Sequence, residues 1–124
     1  MAQFLVADRE ASTVSALRRL LIDDGHDVHA FVEGRKALAA LSTTRFDAIL
    51  ADLELRGANA VELTQAVRLH QPTACLFFMT VRAGLVSVAE ACHVFGKPLP
   101  YQSFTQAVAA CRGGRQHGCH LKAT

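Results

Sequence analysis

Short, continuously apolar runs alternate with segments of helical hydrophobic period along the chain, and this alternation constrains the fold more than any other feature. Residues 4–7 (FLVA) form the first such run, closed by Asp8-Arg9-Glu10. From Ser12 onward, Val14, Leu17, Leu20 and Leu21 recur at helical spacing around Arg18 and Arg19, with Gly25 as the C-terminal stop. Residues 28–31, 46–51, 74–79 and 94–95 predict four more strands. A second helix follows Gly34 with Ala37, Leu38 and Leu41 inward, and a third opens at Gly57-Ala58-Asn59. This third helix turns Val61, Leu63, Val67 and Leu69 inward and stops before Pro72. A short helix over 84–92 and a last one over 103–111, N-capped by Ser103, complete the pattern. Runs that are apolar throughout belong to strands buried on both faces. Five of them alternating with five helices predict an α/β domain built on a doubly wound, five-stranded parallel sheet.

In such a sheet, chemistry sits just outside the carboxyl ends of the strands. The first strand ends in Asp8, the third in Asp52 and the fourth in Thr80, and the fifth is followed by Lys97-Pro98. Taken singly, each has an ordinary structural reading: a turn or capping aspartate, a loop hydroxyl, a solvated lysine. Four at equivalent places point instead to one site. Two carboxylates suit Mg²⁺, a hydroxyl and an ammonium stabilise phosphoryl oxygens, and an aspartate can itself be the phosphoryl-accepting nucleophile. The sequence has no GxxxxGK[ST], no GxGxxG and no GxSxG. Nucleotide-binding, dinucleotide-binding and serine-hydrolase readings therefore fall away. A small-molecule enzyme on a flavodoxin-like sheet is disfavoured because the acidic first turn would repel a flavin or nucleotide phosphate.

With these residues in place, the sequence resembles the receiver domain of two-component response regulators from Phe4 to about Cys111, most specifically over GHDVHAFVEGRKALAALSTTRFDAILADLEL at 25–55. The resemblance implies a CheY-like (βα)5 fold. It also implies Asp52 as phosphoacceptor, Thr80 and Lys97 as phosphoryl-sensing residues, and Pro98 as a cis proline. Mg²⁺ would be held by Asp8, Asp52 and the main-chain carbonyl of Glu54. It implies a histidine kinase or phosphotransfer protein as donor, and a downstream protein partner or attached effector domain as output. Enzymatic activity would go no further than self-phosphorylation and autodephosphorylation of the Asp52 aspartyl-phosphate.

Several positions depart from the family pattern. Arg9 replaces the second acid, beside Glu10. A guanidinium there is expected to pair with the carboxylates of Asp8 and Asp52 and to repel a divalent cation. Leu53 to Ala60 lacks the usual proline and acid-glycine pair, and only 17 positions separate Thr80 from Lys97, so the fourth helix region is shortened. The aromatic usual three residues before the lysine is Val94, with Phe95 one position late. These departures support an alternative: a phosphorylation-independent pseudo-receiver, acting as a protein-interaction module with Arg9 holding Asp52.

The chain has 124 residues, 51% hydrophobic and 19% charged, enough for one core and too apolar for disorder. No apolar run approaches the ~18 residues of a membrane span. The N-terminus MAQFLVADRE lacks a cationic lead, so a cytoplasmic location is expected. Net charge is +2, but Arg112, Arg115 and Lys122 lie beyond residue 110 with no acid among them. The excess is thus concentrated near a basic, Gly- and His-containing tail, 113–124, expected to be flexible, behind a receiver-like domain over 1–112. Without a basic stripe on the body, neither nucleic acid nor membrane is an expected partner. Cys75 and Cys92 read as small buried thiols of a reducing compartment. Cys111, His117, Cys119 and His120 have no spacing that preforms a metal site.

Overall fold

The computed structural model describes residues 1–82, 91 and 93–113. Its elements are β1 (Gln3–Ala7), α1 (Ala11–Asp23), β2 (Asp27–Phe31), α2 (Gly34–Leu41), β3 (Ala48–Asp52), α3 (Ala60–His70), β4 (Cys75–Thr80), β5 (His93–Gly96) and α4 (Tyr101–Gly113). All strand pairings are parallel, in the order β2-β1-β3-β4-β5. The doubly wound sheet is therefore as the sequence predicts. The expected helix over 84–92 lies outside the described residues except for Ala91, as does the tail beyond Gly113.

Strand pleating sorts the central residues onto two faces. Leu5, Ala7, Ile49, Ala51, Leu76 and Phe78 face the side covered by α2 and α3. Phe4, Val6, Leu50, Phe77, Met79 and Phe95 face α1 and α4. On that second face the Phe104 ring packs edge-on against Phe4, Phe77 and Phe95, with centroids 5.4 to 6.1 Å apart. Phe95 is thus a core residue, one position late because it belongs to the opposite face from Val94. β2, at the sheet edge, has no buried residue, whereas β3 and β4 are buried throughout.

Local signals account for the end of α1 and the start of α3. Gly25 takes φ +90° after α1. Its N–H donates to Ile22 O and that of His26 to Leu21 O, at 2.9 and 3.1 Å, which is a Schellman closure. Asn59 and Glu62 form a reciprocal capping box on α3. The Arg35 guanidinium, hydrogen-bonded to Glu62, and the Asn59 amide hold the Glu62 carboxyl below the usual range. Ser103 is not a cap: α4 begins two residues earlier, and Tyr101 donates its hydroxyl to Asp24 Oδ2 at 2.7 Å. Burial first, then this bond and the charges of Asp24 and Asp23, raise the Tyr101 pKa well above its ordinary value. Val61 and Leu69, expected to point inward, are 63% and 75% exposed, because α3 turns only the stripe of Leu63, Thr64 and Val67 to the sheet.

The cysteine expectation is also corrected. Cys75, at the start of β4, forms a disulfide with Cys111 in the last turn of α4. The two face each other across the α1/α4 layer, 36 positions apart in sequence and therefore invisible to spacing rules. Cys111 is thereby withdrawn from any thiolate metal site; His117, Cys119, His120 and Cys92 lie outside the described residues.

Gly34 is where α2 meets the β3–α3 loop. Its N–H donates to Arg56 O at 2.7 Å, and a Cβ there would clash with the Ala58 amide nitrogen and stand 2.6 Å from Arg56 O. These are backbone atoms that cannot swing away. Gly34→Ala is expected to destabilise the domain by about 1–3 kcal/mol, read as a lower urea midpoint at unchanged slope. An unchanged midpoint would show that the loop yields freely.

Candidate functional site

Register brings the polar residues of four separated segments together. Ala7 is level with Ala51, Asp52 with Met79 and Thr80 with Gly96, so Asp8, Asp52, Thr80 and Lys97 arrive at the carboxyl edge in a stagger. Backbone bonds extend the ladder to them: Asp8 N–H to Phe31 O at 3.1 Å, Leu53 N–H to Met79 O at 2.9 Å and Lys97 N–H to Thr80 O at 3.0 Å. The Lys97-Pro98 peptide is cis, as the resemblance implies.

Asp8 and Asp52 are held in the same way. Each accepts the N–H two residues on through Oδ1, from Glu10 at 2.8 Å and from Glu54 at 2.9 Å. Each turns its buried Oδ2 toward the Lys97 ammonium, at 2.8 Å for Asp8 and 3.2 Å for Asp52, where it meets no neutral donor. Burial alone would pull the Lys97 pKa down, but the bond to Asp8 and the charge of Asp52 overcome it, and the net shift is upward. The pocket thus sets two carboxylates against one ammonium.

The donor set fits a hard divalent cation in addition to Lys97, because two buried carboxylate oxygens are left without neutral donors. Asp8, Asp52 and the Glu54 main-chain carbonyl would hold it, with waters completing the shell. Among the described residues no group of three or more His, Cys, Asp or Glu gathers in metal-binding geometry, so a main-chain ligand would be needed as the third.

Arg9 does not behave as the sequence suggests. It is exposed, and with Glu10, Val32 and Arg56 it lines an adjoining open cleft of about 360 Å³. The ammonium paired with Asp8 and Asp52 is that of Lys97, which reaches the carboxylates from the neighbouring β5 end. Arg9 follows Asp8 directly, in the connection before α1, where it is exposed while Asp8 is buried.

The side chains of Glu54 and Arg82 belong to this site and were missed. Thr80 Oγ1 donates to Glu54 Oε2 at 2.9 Å, with Oε1 at 3.2 Å, and accepts from the Arg82 N–H at 3.1 Å. Arg82 Nη2 stands 3.1 Å from the same Glu54 Oε2. The available signal was a pair of opposite charges, each two residues beyond a polar end of adjacent strands.

Fold and pocket together define an α/β domain that presents a buried acid pair, a lysine and a threonine at the carboxyl edge of one parallel sheet. The chain belongs to the response regulator receiver domain family, whose model matches residues 4–98. It is 28% identical over 83 residues to the transcriptional regulatory protein TcrA of Mycobacterium tuberculosis, a match covering 67% of this chain and 33% of that protein. The chain spans about a third of the length of the curated relatives it matches. Among solved structures it is similar to a CheY-like receiver domain protein of Methanospirillum hungatei, with a TM-score of 0.80 and 18% identity over 94% of this chain and 97% of that one. It is also similar to a Burkholderia pseudomallei response regulator with a phosphorylated aspartic acid, calcium ion and citrate. That match has a TM-score of 0.76 and 24% identity, covering 94% of this chain and 71% of the other. Among the described residues no helix is long and apolar enough to cross a membrane.

Proposed function

We propose that this receiver accepts a phosphoryl group on Asp52 from a phosphohistidine of a histidine kinase or phosphotransfer protein. An Asp52 carboxylate oxygen attacks phosphorus, the P–N bond breaks, and the imidazole leaves with the electron pair as the acyl phosphate forms. Lys97 would neutralise the pocket and Thr80 would hydrogen-bond a phosphoryl oxygen. A bound Mg²⁺ would supply further charge neutralisation there. The observation that carries the reading is the convergence of the Asp8 and Asp52 Oδ2 atoms on Lys97 at the same edge as Thr80. Output would pass through surface contacts to a downstream protein or an attached effector, in the cytoplasm.

Incubation with acetyl phosphate and Mg²⁺ is expected to add the mass of one phosphoryl group to the intact protein and none to Asp52→Asn. No adduct on the wild type, or an adduct that survives Asp52→Asn, overturns the proposal. The pseudo-receiver reading no longer has Arg9 holding Asp52, since Lys97 does so, and is favoured by the lack of an acid at position 9 and by Glu54 on the Thr80 hydroxyl. It expects no Mg²⁺-dependent change in the amide resonances around Asp52, and recovery of Mg²⁺ binding in Arg9→Asp. Ordinary Mg²⁺ binding by the wild type would remove it.

A further inference from the structure

The two cysteines among the described residues lie toward the other end of the sheet from the acid pocket, and the fold places them unequally. Cys75 begins β4, level with Ala48, is 1% exposed and donates its N–H to Asp47 O at 3.0 Å. It belongs to the apolar cluster that includes Phe77, Phe104 and Val108. Cys111, in the last turn of α4, packs against that cluster but remains partly exposed. Thiol–disulfide exchange proceeds by attack of a thiolate on one sulfur while the other leaves, so access decides which sulfur is attacked. A solution thiolate can reach Cys111 Sγ, whereas Cys75 Sγ is reached only from Cys111 or after local opening. A sensing cysteine needs this combination: one sulfur open enough to take an adduct, and a second beside it to expel that adduct.

We propose that Cys111 is a modification site for low-molecular-weight thiols and disulfides of the glutathione class, with Cys75 as its resolving residue, and that the pair is a redox input separate from the acid pocket. On oxidation the Cys111 thiolate attacks one sulfur of oxidised glutathione, a Cys111–glutathione disulfide forms, and one glutathione thiolate leaves. The Cys75 thiolate then attacks Cys111 Sγ, the Cys75–Cys111 bond forms, and the second glutathione thiolate leaves. Two electrons pass from the cysteine pair to the oxidised glutathione, and the two thiol protons end on the two glutathiones released. Reduction runs the same steps backward, its first attack falling on Cys111. What is made and broken is the tie between the last turn of α4 and the start of β4.

The test treats the fully reduced full chain with oxidised glutathione and follows adducts by peptide mapping, which separates Cys75 and Cys111 from Cys92 and Cys119. Cys75→Ala, which lacks the resolving thiol, is expected to accumulate one glutathionyl group on Cys111. Cys111→Ala should take one on Cys75 at least about a hundredfold more slowly, because that sulfur reacts only on local opening. In urea that unfolds the chain the two variants should react alike, which makes the selectivity a property of the fold. In the wild type the Cys111 adduct should rise first and decay as the Cys75–Cys111 disulfide forms, and Asp52→Asn should follow the same course. If a cysteine variant does not fold, the wild-type time course decides alone. Similar rates at the two cysteines in the folded chains, a first adduct on Cys75, or a lasting Cys111 adduct with no disulfide overturns the proposal. A changed course in Asp52→Asn overturns the separation from the acid pocket.

Discussion

Lys97→Met is expected to lower folding stability by about 3 kcal/mol near neutral pH, the scale of removing one member of a buried ion cluster while leaving the other charges in place. Methionine keeps most of the length and apolar stem of lysine, so the loss isolates the ammonium. Its absence leaves Asp8 and Asp52, both essentially without solvent exposure, with two Oδ2 atoms that no neutral donor satisfies. The double variant Asp52→Asn/Lys97→Met should recover part of that stability, because one of the two uncompensated charges is gone. The two changes are therefore coupled, and denaturant midpoints of the four chains measure the coupling. The pH dependence has a definite sign. The folded pKa of Lys97 is raised, so its contribution is fully present below the unfolded value of about 10.4 and is lost as pH rises through the higher folded value. The gap between wild type and Lys97→Met, so far as it comes from this proton, should hold from neutral pH to about 10 and close only above that. A gap that closes between pH 7 and 9 would show that the ammonium is not held by the acid pair.

The same pocket shows what the sequence could and could not disclose. Asp8, Asp52, Thr80 and Lys97 were legible because each terminates or follows a strand, and in a parallel sheet all carboxyl ends share one edge. Fold class was legible for a related reason: uninterrupted apolar runs such as 48–51 are unsuited to any strand with one wet face. Which cation would meet Asp52 was not legible. Arg9 is adjacent to Asp8 in sequence, but it is exposed in the connection before α1, and the ammonium comes from a residue 45 positions beyond Asp52. The Glu54–Thr80–Arg82 cluster required the register of β3 against β4, which alternation alone does not specify. Val61 and Leu69 were misplaced because a helix packed on a sheet buries a narrower stripe than its apolar residues suggest. Gln71 gave no hint of its place: it is buried, accepts the Phe46 N–H at 3.0 Å, and donates to Leu41 O and Thr44 O. Its role depends on three carbonyl and amide groups that only the folded α2–β3 connection brings together.

Reduction of the Cys75–Cys111 disulfide is expected to cost about 3–4 kcal/mol, the loop-closure entropy regained by the unfolded chain when a link of this span is cut. For a domain of this size that corresponds to a fall in Tm of roughly 10–15 °C. The bond closes a loop of sequence separation 36 that contains β4, β5 and nearly all of α4, elements that otherwise cohere through the Phe77, Phe95 and Phe104 rings. Those rings remain after reduction, so the fold should survive and only its margin should shrink. Cys111→Ser is the cleaner variant, because Cys111 is partly exposed and its hydroxyl can reach water, whereas a serine at Cys75 would bury a polar group. Three thermal scans decide the matter: wild type without reductant should melt highest, and wild type with dithiothreitol should coincide with Cys111→Ser, which itself should not respond to reductant. A wild-type Tm indifferent to dithiothreitol would mean that the two sulfurs are not joined in solution. Because the link fastens the far end of α4 to the amino end of β4, while Asp52, Thr80 and Lys97 sit at the carboxyl edge, reduction should loosen α4 amides in hydrogen exchange more than those flanking the acid pocket. In a glutathione-buffered compartment the thiol form is the one expected to prevail, and the same difference in stability then separates the protein of an oxidising setting from that of a reducing one.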